Sequence, residues 1–298
     1  MKKIVVMVIA FSVFLIGFAL LLNTEKNHSI NKVISIKETH NYISYDDGKS
    51  INQYLYFSNE NKYARKELIE EISFTDKNEQ KKISLDVLDV QNTEYSYMVD
   101  NHKYTCYKYE LLLPDLRVNI SIDEAYLRIV SNGDILKVEI GSLSIRSNKM
   151  LSFGDHLSIN MLEGRIVDYP FDTLGCIDIK IENKANSTVI IKDIYIDNDV
   201  YIDCDLIDSN INLDDYHIFS ELDKDFNEIM MYSYQNLELQ LPLKYNKIKR
   251  LKASYILIYY EINGQSYVHV QDTFNFFDNN YKIPELSEVI YVNEYRWD

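Results

Sequence analysis

The chain has 298 residues, with 46 acidic against 31 basic side chains and a net charge of −15 at pH 7. Such an acidic surface repels nucleic acid and anionic lipid head groups, so the charge excludes a nucleic-acid-binding protein. Three cysteines are too few for a disulfide scaffold. Abundant Ile, Lys, Asn and Tyr with few Ala, Gly and Pro is typical of an AT-rich coding genome and favours a bacterial origin.

The first predicted element is a membrane-spanning helix over residues 4–22, which follow Lys2 and Lys3 and carry no charge. Nineteen residues at about 1.5 Å rise each give roughly 28 Å, close to the hydrocarbon thickness of a bilayer. Because positive residues flank the cytoplasmic end of such helices, the N-terminus is predicted in the cytoplasm and the rest outside. No second run of this kind follows, so a single-pass protein of the cell membrane is expected.

A cleaved signal peptide is the alternative for the same segment. Its apolar region is normally 7–15 residues long and ends in a small-x-small cleavage site. Here the run is longer and ends in Ala19-Leu20-Leu21-Leu22-Asn23 without such a site. No cysteine follows directly, which argues against a lipoprotein. The sequence therefore favours an uncleaved signal-anchor with a short polar stalk up to residue 30.

Alternating apolar and polar residues predict β-strands through most of the remaining chain. In CIDIKIEN (176–183), for example, three isoleucines face one way and charged residues the other. Asn132-Gly133 and Asn263-Gly264 each separate two such runs, and Asn-Gly in this context is the strongest short hairpin signal. The segment 64–74 has a helical pattern by itself, but is predicted to end in a strand over residues 69–74.

An internal duplication is suggested by four segments that recur in the same order. The first set is YLYFSNEN, ELIEEISFTDKN, LLLP and YLRIVSNGDILKVEIG; the second is IDIKIENKAN, VIIKDIYIDND, LQLP and YILIYYEINGQSYVHV. Three landmarks match between the two sets: Asn59 with Asn183, Pro114 with Pro242, and Gly133 with Gly264. The members of each pair lie 124 to 131 residues apart. Two unrelated β-domains with generic hairpins remain the alternative.

The stretch IDIKIENKANSTVIIKDIYI (177–196) resembles the immunoglobulin-like sandwiches of bacterial cell surfaces, in having two alternating strands joined by an Asn-containing turn. The resemblance implies an all-β fold and no particular function, because sandwiches have many roles. The predicted architecture is an N-terminal transmembrane helix and stalk (1–30) followed by two tandem immunoglobulin-like β-sandwich domains. They cover residues 31–149 and 150–298, the second with a C-terminal tail from residue 283.

Catalytic motifs are absent from the sequence: it has no G-x-S-x-G, H-E-x-x-H, P-loop or C-x-x-C pattern, and its six histidines are scattered. The best candidate site is acidic. Asp203 and Asp205 are expected on one strand face, and Asp208 begins a partial match to a calcium loop that lacks the required glycine and final glutamate. A solvated face is the simplest interpretation of these residues; a cation site or an acid–base pair are the alternatives. No cofactor is predicted.

The cysteines and the single tryptophan are two further features of the sequence. Cys204 is expected to point inward and Cys176 outward, so a disulfide between them is disfavoured. Trp297, the single tryptophan, lies in the apolar tail. That tail is expected to pack on the second domain, and contact with a partner through Trp297 is the alternative.

These features favour a non-enzymatic binding or interaction module of the bacterial cell envelope, held to the membrane by its own helix. An envelope enzyme, such as a glycan hydrolase that uses acidic residues of the second domain, is one alternative. An accessory or sensor subunit of a membrane complex is another. The sequence identifies no ligand or partner.

Overall fold

The fold is given by a computed structural model, which describes residues 31–99, 101–167, 172–207, 213, 217–219, 226–247, 249–251, 253–276 and 290–295. The predicted membrane helix (4–22), Asp208 and Trp297 lie outside these residues, and the anchor stays a prediction. None of the helices in the described part is long and apolar enough to cross a membrane.

Seventeen strands and four short 3-10 helices make up the described part, which contains no α-helix. The first eight strands are β1 Asn31–Ile36, β2 Glu38–Ser44, β3 Lys49–Phe57, β4 Ile69–Thr75, β5 Lys82–Val99, β6 His102–Leu113, β7 Ile120–Ser131 and β8 Asp134–Ser147. The others are β9 Leu157–Val167, β10 Thr173–Asn183, β11 Val189–Tyr195, β12 Val200–Ile202, β13 Ile229–Met231, β14 Asn236–Tyr245, β15 Ala253–Ile262, β16 Gln265–Asn275 and β17 Ile290–Tyr295. The 3-10 helices are Lys62–Ala64, Lys66–Leu68, Asn148–Met150 and Cys204–Leu206.

The first sandwich is one sheet of nine strands folded on itself, in the order β17-β1-β3-β6-β5-β4-β7-β8-β2. Strand β5 forms the fold line, because its first residues pair with β4 and the rest pairs with β6. Leu55 and Phe57 on one side then share a core with Leu127 and Val138 on the other. Apolar residues that alternate along each strand therefore meet between two facing layers.

Strand order identifies both units as immunoglobulin-like. In chain order the strands of the first unit take the positions A, A′, B, C, D, E, F and G, with A-B-E-D (β1-β3-β6-β5) opposite C-F-G (β4-β7-β8). The second unit repeats this order, with β9-β10-β14-β12 opposite β13-β11-β15-β16, where β13 is an additional strand beside β11. The prediction of an all-β chain with two immunoglobulin-like sandwiches is confirmed. The predicted boundary between residues 149 and 150 stays a prediction.

Both predicted Asn-Gly hairpins are present and occupy equivalent F–G turns. Asn132 and Gly133 have φ of 51° and 77°, and Asn263 and Gly264 have φ of 52° and 79°. Positive φ at both central residues is the type I′ geometry that suits the twist of paired strands. The predicted strand over residues 69–74 is confirmed as β4.

The other matched landmarks of the duplication also lie at equivalent places. Asn59 follows strand B of the first unit and Asn183 ends strand B of the second. Pro114 follows strand E of the first unit, and Pro242 lies within strand E of the second. The segments matched by sequence therefore lie on equivalent strands, as a duplication requires.

The C-terminal tail contradicts the expectation that it packs on the second sandwich. Strand β17 runs antiparallel to β1 in the first sandwich, with paired positions from Asn31–Tyr295 to Ile36–Ile290. Strand β1 otherwise pairs only with two residues of β3. An added strand satisfies the backbone groups that this edge leaves open, which explains the pairing.

The two sandwiches contact each other through strand β2. One edge of β2 pairs in parallel with β8, and its Ile43 packs with Tyr255, Leu257 and Val268 of the second unit. Across its other edge, the N–H of Thr39 donates to the Arg250 carbonyl at 2.8 Å. A strand of the first sandwich thus lies within the contact with the second.

Arg250 is the most strongly buried charge at this contact. Its side chain is 1% exposed, forms an ion pair with Glu38 of β2, and donates from Nε to the Asp172 carbonyl at 3.2 Å. Removing a guanidinium from water is costly, and the pair offsets that cost only while both members are present. The two sandwiches are therefore linked by an interaction that does not tolerate loss of one partner.

We expect Arg250→Met to lower the free energy of unfolding by about 3 kcal/mol, because Glu38 is left without its cation in a largely buried place. Urea unfolding of the full-length protein, followed by circular dichroism, measures the change. The matched control is Arg65→Met, whose ion pair with Glu60 is exposed and should contribute less than about 1 kcal/mol. Equal effects of the two substitutions would refute the assigned importance of Arg250.

Candidate functional site

The acidic region does not form the shared strand face that the sequence predicted. Strand β12 ends at Ile202, and the chain turns into the 3-10 helix Cys204–Leu206. Because alternation holds only in an extended strand, Asp203 and Asp205 need not point the same way once the chain turns. Asp203 is 7% exposed, whereas Asp205 is exposed.

Asp203 is instead associated with a lysine. The Nζ atom of Lys244 on β14 lies 4.0 Å from Asp203 Oδ2, and both side chains are nearly buried. Burial holds the pKa of Lys244 below its ordinary value, and the charge of Asp203 opposes this effect. Within the residues that the structure describes, no group of three or more His, Cys, Asp or Glu side chains could hold a metal ion.

The three cysteines are free thiols in protected environments. Cys176 faces away from Ile177, as expected, but it is fully buried, because the Arg165 guanidinium covers it at 3.0 Å from Sγ. Burial raises the pKa of all three thiols, that of Cys106 to about 11. Thiols with raised pKa are poor nucleophiles, so the cysteines do not suggest catalysis.

The most distinctive surface feature is a turn that connects β13 to β14 and exposes large side chains. Met230, Tyr232 and Tyr234 are 55%, 65% and 65% exposed. We call residues Tyr232–Gln235 the tyrosine turn. Scattered exposed apolar residues are ordinary, but Met230 on β13 and two tyrosines of the adjoining turn concentrate apolar surface in one short segment.

Hydrogen bonds close the tyrosine turn on itself. The N–H of Gln235 donates to the Tyr232 carbonyl at 3.1 Å, and the N–H of Tyr232 donates to Gln235 Oε1 at 2.8 Å. The Ser233 hydroxyl donates to the Ala185 carbonyl of the neighbouring B–C loop at 3.3 Å. The backbone of the turn is thereby fixed before anything binds to it.

Asn183 anchors the turn to the body of the second sandwich. It is fully buried at the end of β10, and its amide nitrogen lies 2.8 Å from the Tyr232 carbonyl and 3.3 Å from that of Met231. Its Oδ1 accepts from the N–H of Ala185 at 2.9 Å. One buried side chain thus joins the B–C loop to the tyrosine turn, since a buried amide needs all its partners.

Tyr234 has a strained backbone, with φ of 55°. It is the third residue of a turn with the type II pattern, where glycine is preferred because a Cβ atom crowds the backbone. An L-residue in this region costs of order 1–3 kcal/mol and persists where the surrounding structure enforces it. Because the hydroxyphenyl group is 65% exposed, the strain does not serve packing of the core.

Sequence reasoning missed this site, although it identified Asn183 as a turn residue. The available signal was the segment MMYSYQN (230–236), where a turn between two strands contains tyrosines and no glycine or proline. What the pattern could not show is the contact between Asn183 and Tyr232, which are 49 residues apart.

Comparison with known proteins places the chain in no family: no family model and no curated protein matches it. Among solved structures it is similar to the C-terminal domain of the AgI/II polypeptide BspA of Streptococcus agalactiae, at 8% identity and a TM-score of 0.21, over 82% of this chain and 99% of that one. It is also similar to the tandem Ig repeats of Dlar, at 9% identity and a TM-score of 0.19, over 83% and 97%. The CupB2 chaperone of Pseudomonas aeruginosa follows at 8% identity and a TM-score of 0.16, over 78% and 97%. The strand order of the two units is what identifies them as immunoglobulin-like.

We expect Tyr234→Gly to be more stable than Tyr234→Ala by about 1 kcal/mol, because glycine adopts positive φ without strain whereas alanine retains it. The difference in urea unfolding between the two variants measures the strain without the tyrosine side chain. Equal stability of the two variants would show that the backbone at residue 234 is not strained.

Proposed function

We propose that this protein is a membrane-anchored, extracytoplasmic interaction module of the bacterial cell envelope, and not an enzyme. The tyrosine turn is the observation that carries the proposal. It joins exposed tyrosines to a backbone that hydrogen bonds hold in a strained conformation, at an end of an immunoglobulin-like sandwich. Rigid tyrosines give a large contact area with little loss of conformational entropy on binding, which is why binding loops are rich in them.

The anchor in this proposal is the uncharged segment 4–22 behind Lys2 and Lys3. Its length suits a bilayer, and the flanking lysines favour a cytoplasmic N-terminus. Both sandwiches would then face the outside, where the binding loops of the second could meet another protein or an envelope component. The net charge of −15 argues against nucleic acid as that partner.

The alternative of a glycan hydrolase has less support. That chemistry needs two carboxyl groups on either side of one scissile bond. Asp203 is buried beside Lys244, whereas Asp205 is exposed on the 3-10 helix. The sensor-subunit alternative depends on the anchor alone, and no contact of the described residues favours it.

We expect external protease on intact cells to digest both sandwiches and leave a short N-terminal fragment in the membrane. The reason is the predicted topology, in which only the residues before the helix face the cytoplasm. Immunoblotting with a tag placed before Lys2 measures the fragment. Recovery of a soluble form that begins near residue 24 would refute the anchor, and full protection from protease would refute the orientation.

The binding role predicts that Tyr232→Ala combined with Tyr234→Ala removes proteins that co-purify with the full-length chain from its native membrane. Loss of two interfacial tyrosines typically lowers affinity by at least about 2 kcal/mol. The matched control is Tyr95→Ala, which removes a 53% exposed tyrosine from strand β5. Quantitative mass spectrometry should show partners retained by the control and lost from the double variant. Identical sets of co-purifying proteins would contradict the assigned role.

A further inference from the structure

The first sandwich contains a strand edge that is only partly covered. Strand β3 pairs with β6 along its whole length, from Lys49 to Phe57. On its other side, β1 pairs only with Tyr56 and Phe57, because the chain leaves that sheet after Ile36 and continues as β2 beside β8. In the described part, residues 50–53 therefore have a strand partner on one side only. Every second residue of such a stretch directs its N–H and C=O away from the existing partner.

This edge borders a groove with a volume of about 240 Å³. Residues 49–54 of β3 line one wall and residues 38–42 of β2 line another. Ala253, Thr273 and Asn275 of the second sandwich also line it, so that the groove lies at the contact between the two units. Six strand residues extend over roughly 20 Å, which gives the groove the length of a short strand.

The walls of the groove are polar at positions where a sandwich interior is normally apolar. Gln53 is 3% exposed on the inward face of β3, between the buried Ile51 and Leu55. Its amide donates to the Tyr42 hydroxyl at 3.0 Å. The Nε2 atom of His40 lies 3.0 Å from the Ile140 carbonyl, so that nitrogen is the donor, since a carbonyl only accepts. Buried polar groups need an explanation beyond packing, because each is costly to bury.

Asn41 of β2 faces the contact between the units, because successive side chains of a strand point to opposite sides and those of His40 and Tyr42 face Gln53. It is 1% exposed, and its Nδ2 donates to Ser254 Oγ of the second sandwich at 3.1 Å. The charged groups at the groove are paired: Glu38 with Arg250 and Lys49 with Asp272. A ligand that complements this groove is therefore uncharged, and it meets the outward N–H and C=O groups of the open edge.

We propose that the groove binds an extended, uncharged peptide segment of a partner protein, which adds as a strand to residues 50–53 of β3. A peptide backbone offers donors and acceptors at the strand spacing that the open edge presents, which a sugar does not. Alternate side chains of the peptide would face Gln53 and His40, and small polar residues fit there. The site is separate from the tyrosine turn and adds a second means of contact to the proposed function.

The test is selection of a phage-displayed library of twelve-residue peptides against the full-length protein in detergent, followed by affinity measurements on synthetic copies of the enriched peptides. Ala253→Trp places a large side chain in the lining of the groove and should weaken binding by about tenfold or more. The control Ser266→Trp places the same side chain at an exposed position of β16. Thermal unfolding of both variants establishes that they fold.

Backbone N-methylation of the bound peptides provides a readout that no other binding mode shares. Methylation should abolish binding at every second residue and have little effect at the residues between, because only alternate N–H groups pair with β3. Amide hydrogen exchange at residues 50–53 should slow when the peptide binds.

Several results would overturn the proposal: no enriched peptide, equal effects of the two tryptophan variants, or N-methylation effects without a period of two. Self-association of the full-length protein that Ala253→Trp abolishes would also overturn it, because a second copy would then occupy the groove. We expect the variant with both Tyr232→Ala and Tyr234→Ala to bind the enriched peptides unchanged. The experiment therefore tests the groove independently of the binding role proposed for the tyrosine turn.

Discussion

The contact made by strand β2 is the constraint on which the rest of the molecule depends. Seven residues complete the first sandwich beside β8 and at the same time form the surface on which the second sandwich packs. Arg250 is buried against Glu38 at this contact. Rotation of one unit relative to the other would separate the pair and leave a buried charge without its partner. Two units that would otherwise be joined by a short connection are thereby held at a defined orientation, and the second contributes Ala253, Thr273 and Asn275 to the lining of the groove beside β3.

A rigid second sandwich also permits backbone strain in the exposed tyrosine turn. A tight turn in isolation would relax to place Tyr234 at negative φ, since the left-handed region is unfavourable for an L-residue. Here the buried Asn183 holds the carbonyls of Met231 and Tyr232, so relaxation would break hydrogen bonds inside the protein. The strain at Tyr234 is thus maintained by the hydrogen bonds of the buried Asn183. The core of the second sandwich thereby determines how its tyrosines are exposed.

Secondary-structure elements that depend on neighbouring residues in the sequence were predictable. The Asn-Gly hairpins follow from turn chemistry, and β10 follows from strict alternation, because one face of that strand is core. Strand β2 was not recognisable in this way: THNYIS (39–44) shows no apolar alternation, since both of its faces contact protein and several contacts are polar. The prediction that Asp203 and Asp205 share a strand face was wrong for a different reason. It extended the alternation of β12 past Ile202, where the strand ends. Periodicity indicates which face is buried but not where a strand stops.

The scarcity of glycine explains part of the surface. The chain has only eight glycines, so its turns and one strand irregularity place other residues at positive φ. In the described part these are Glu79, Glu94, Asn101, Asn132, Tyr234 and Asn263. Asparagine adopts this conformation at little cost, because its side chain can hydrogen-bond locally. Glutamate and tyrosine have no such compensation, so the strain at Glu79, Glu94 and Tyr234 persists only because the surrounding structure enforces it. At residue 234 this structure is the hydrogen bonding of the tyrosine turn and of the buried Asn183.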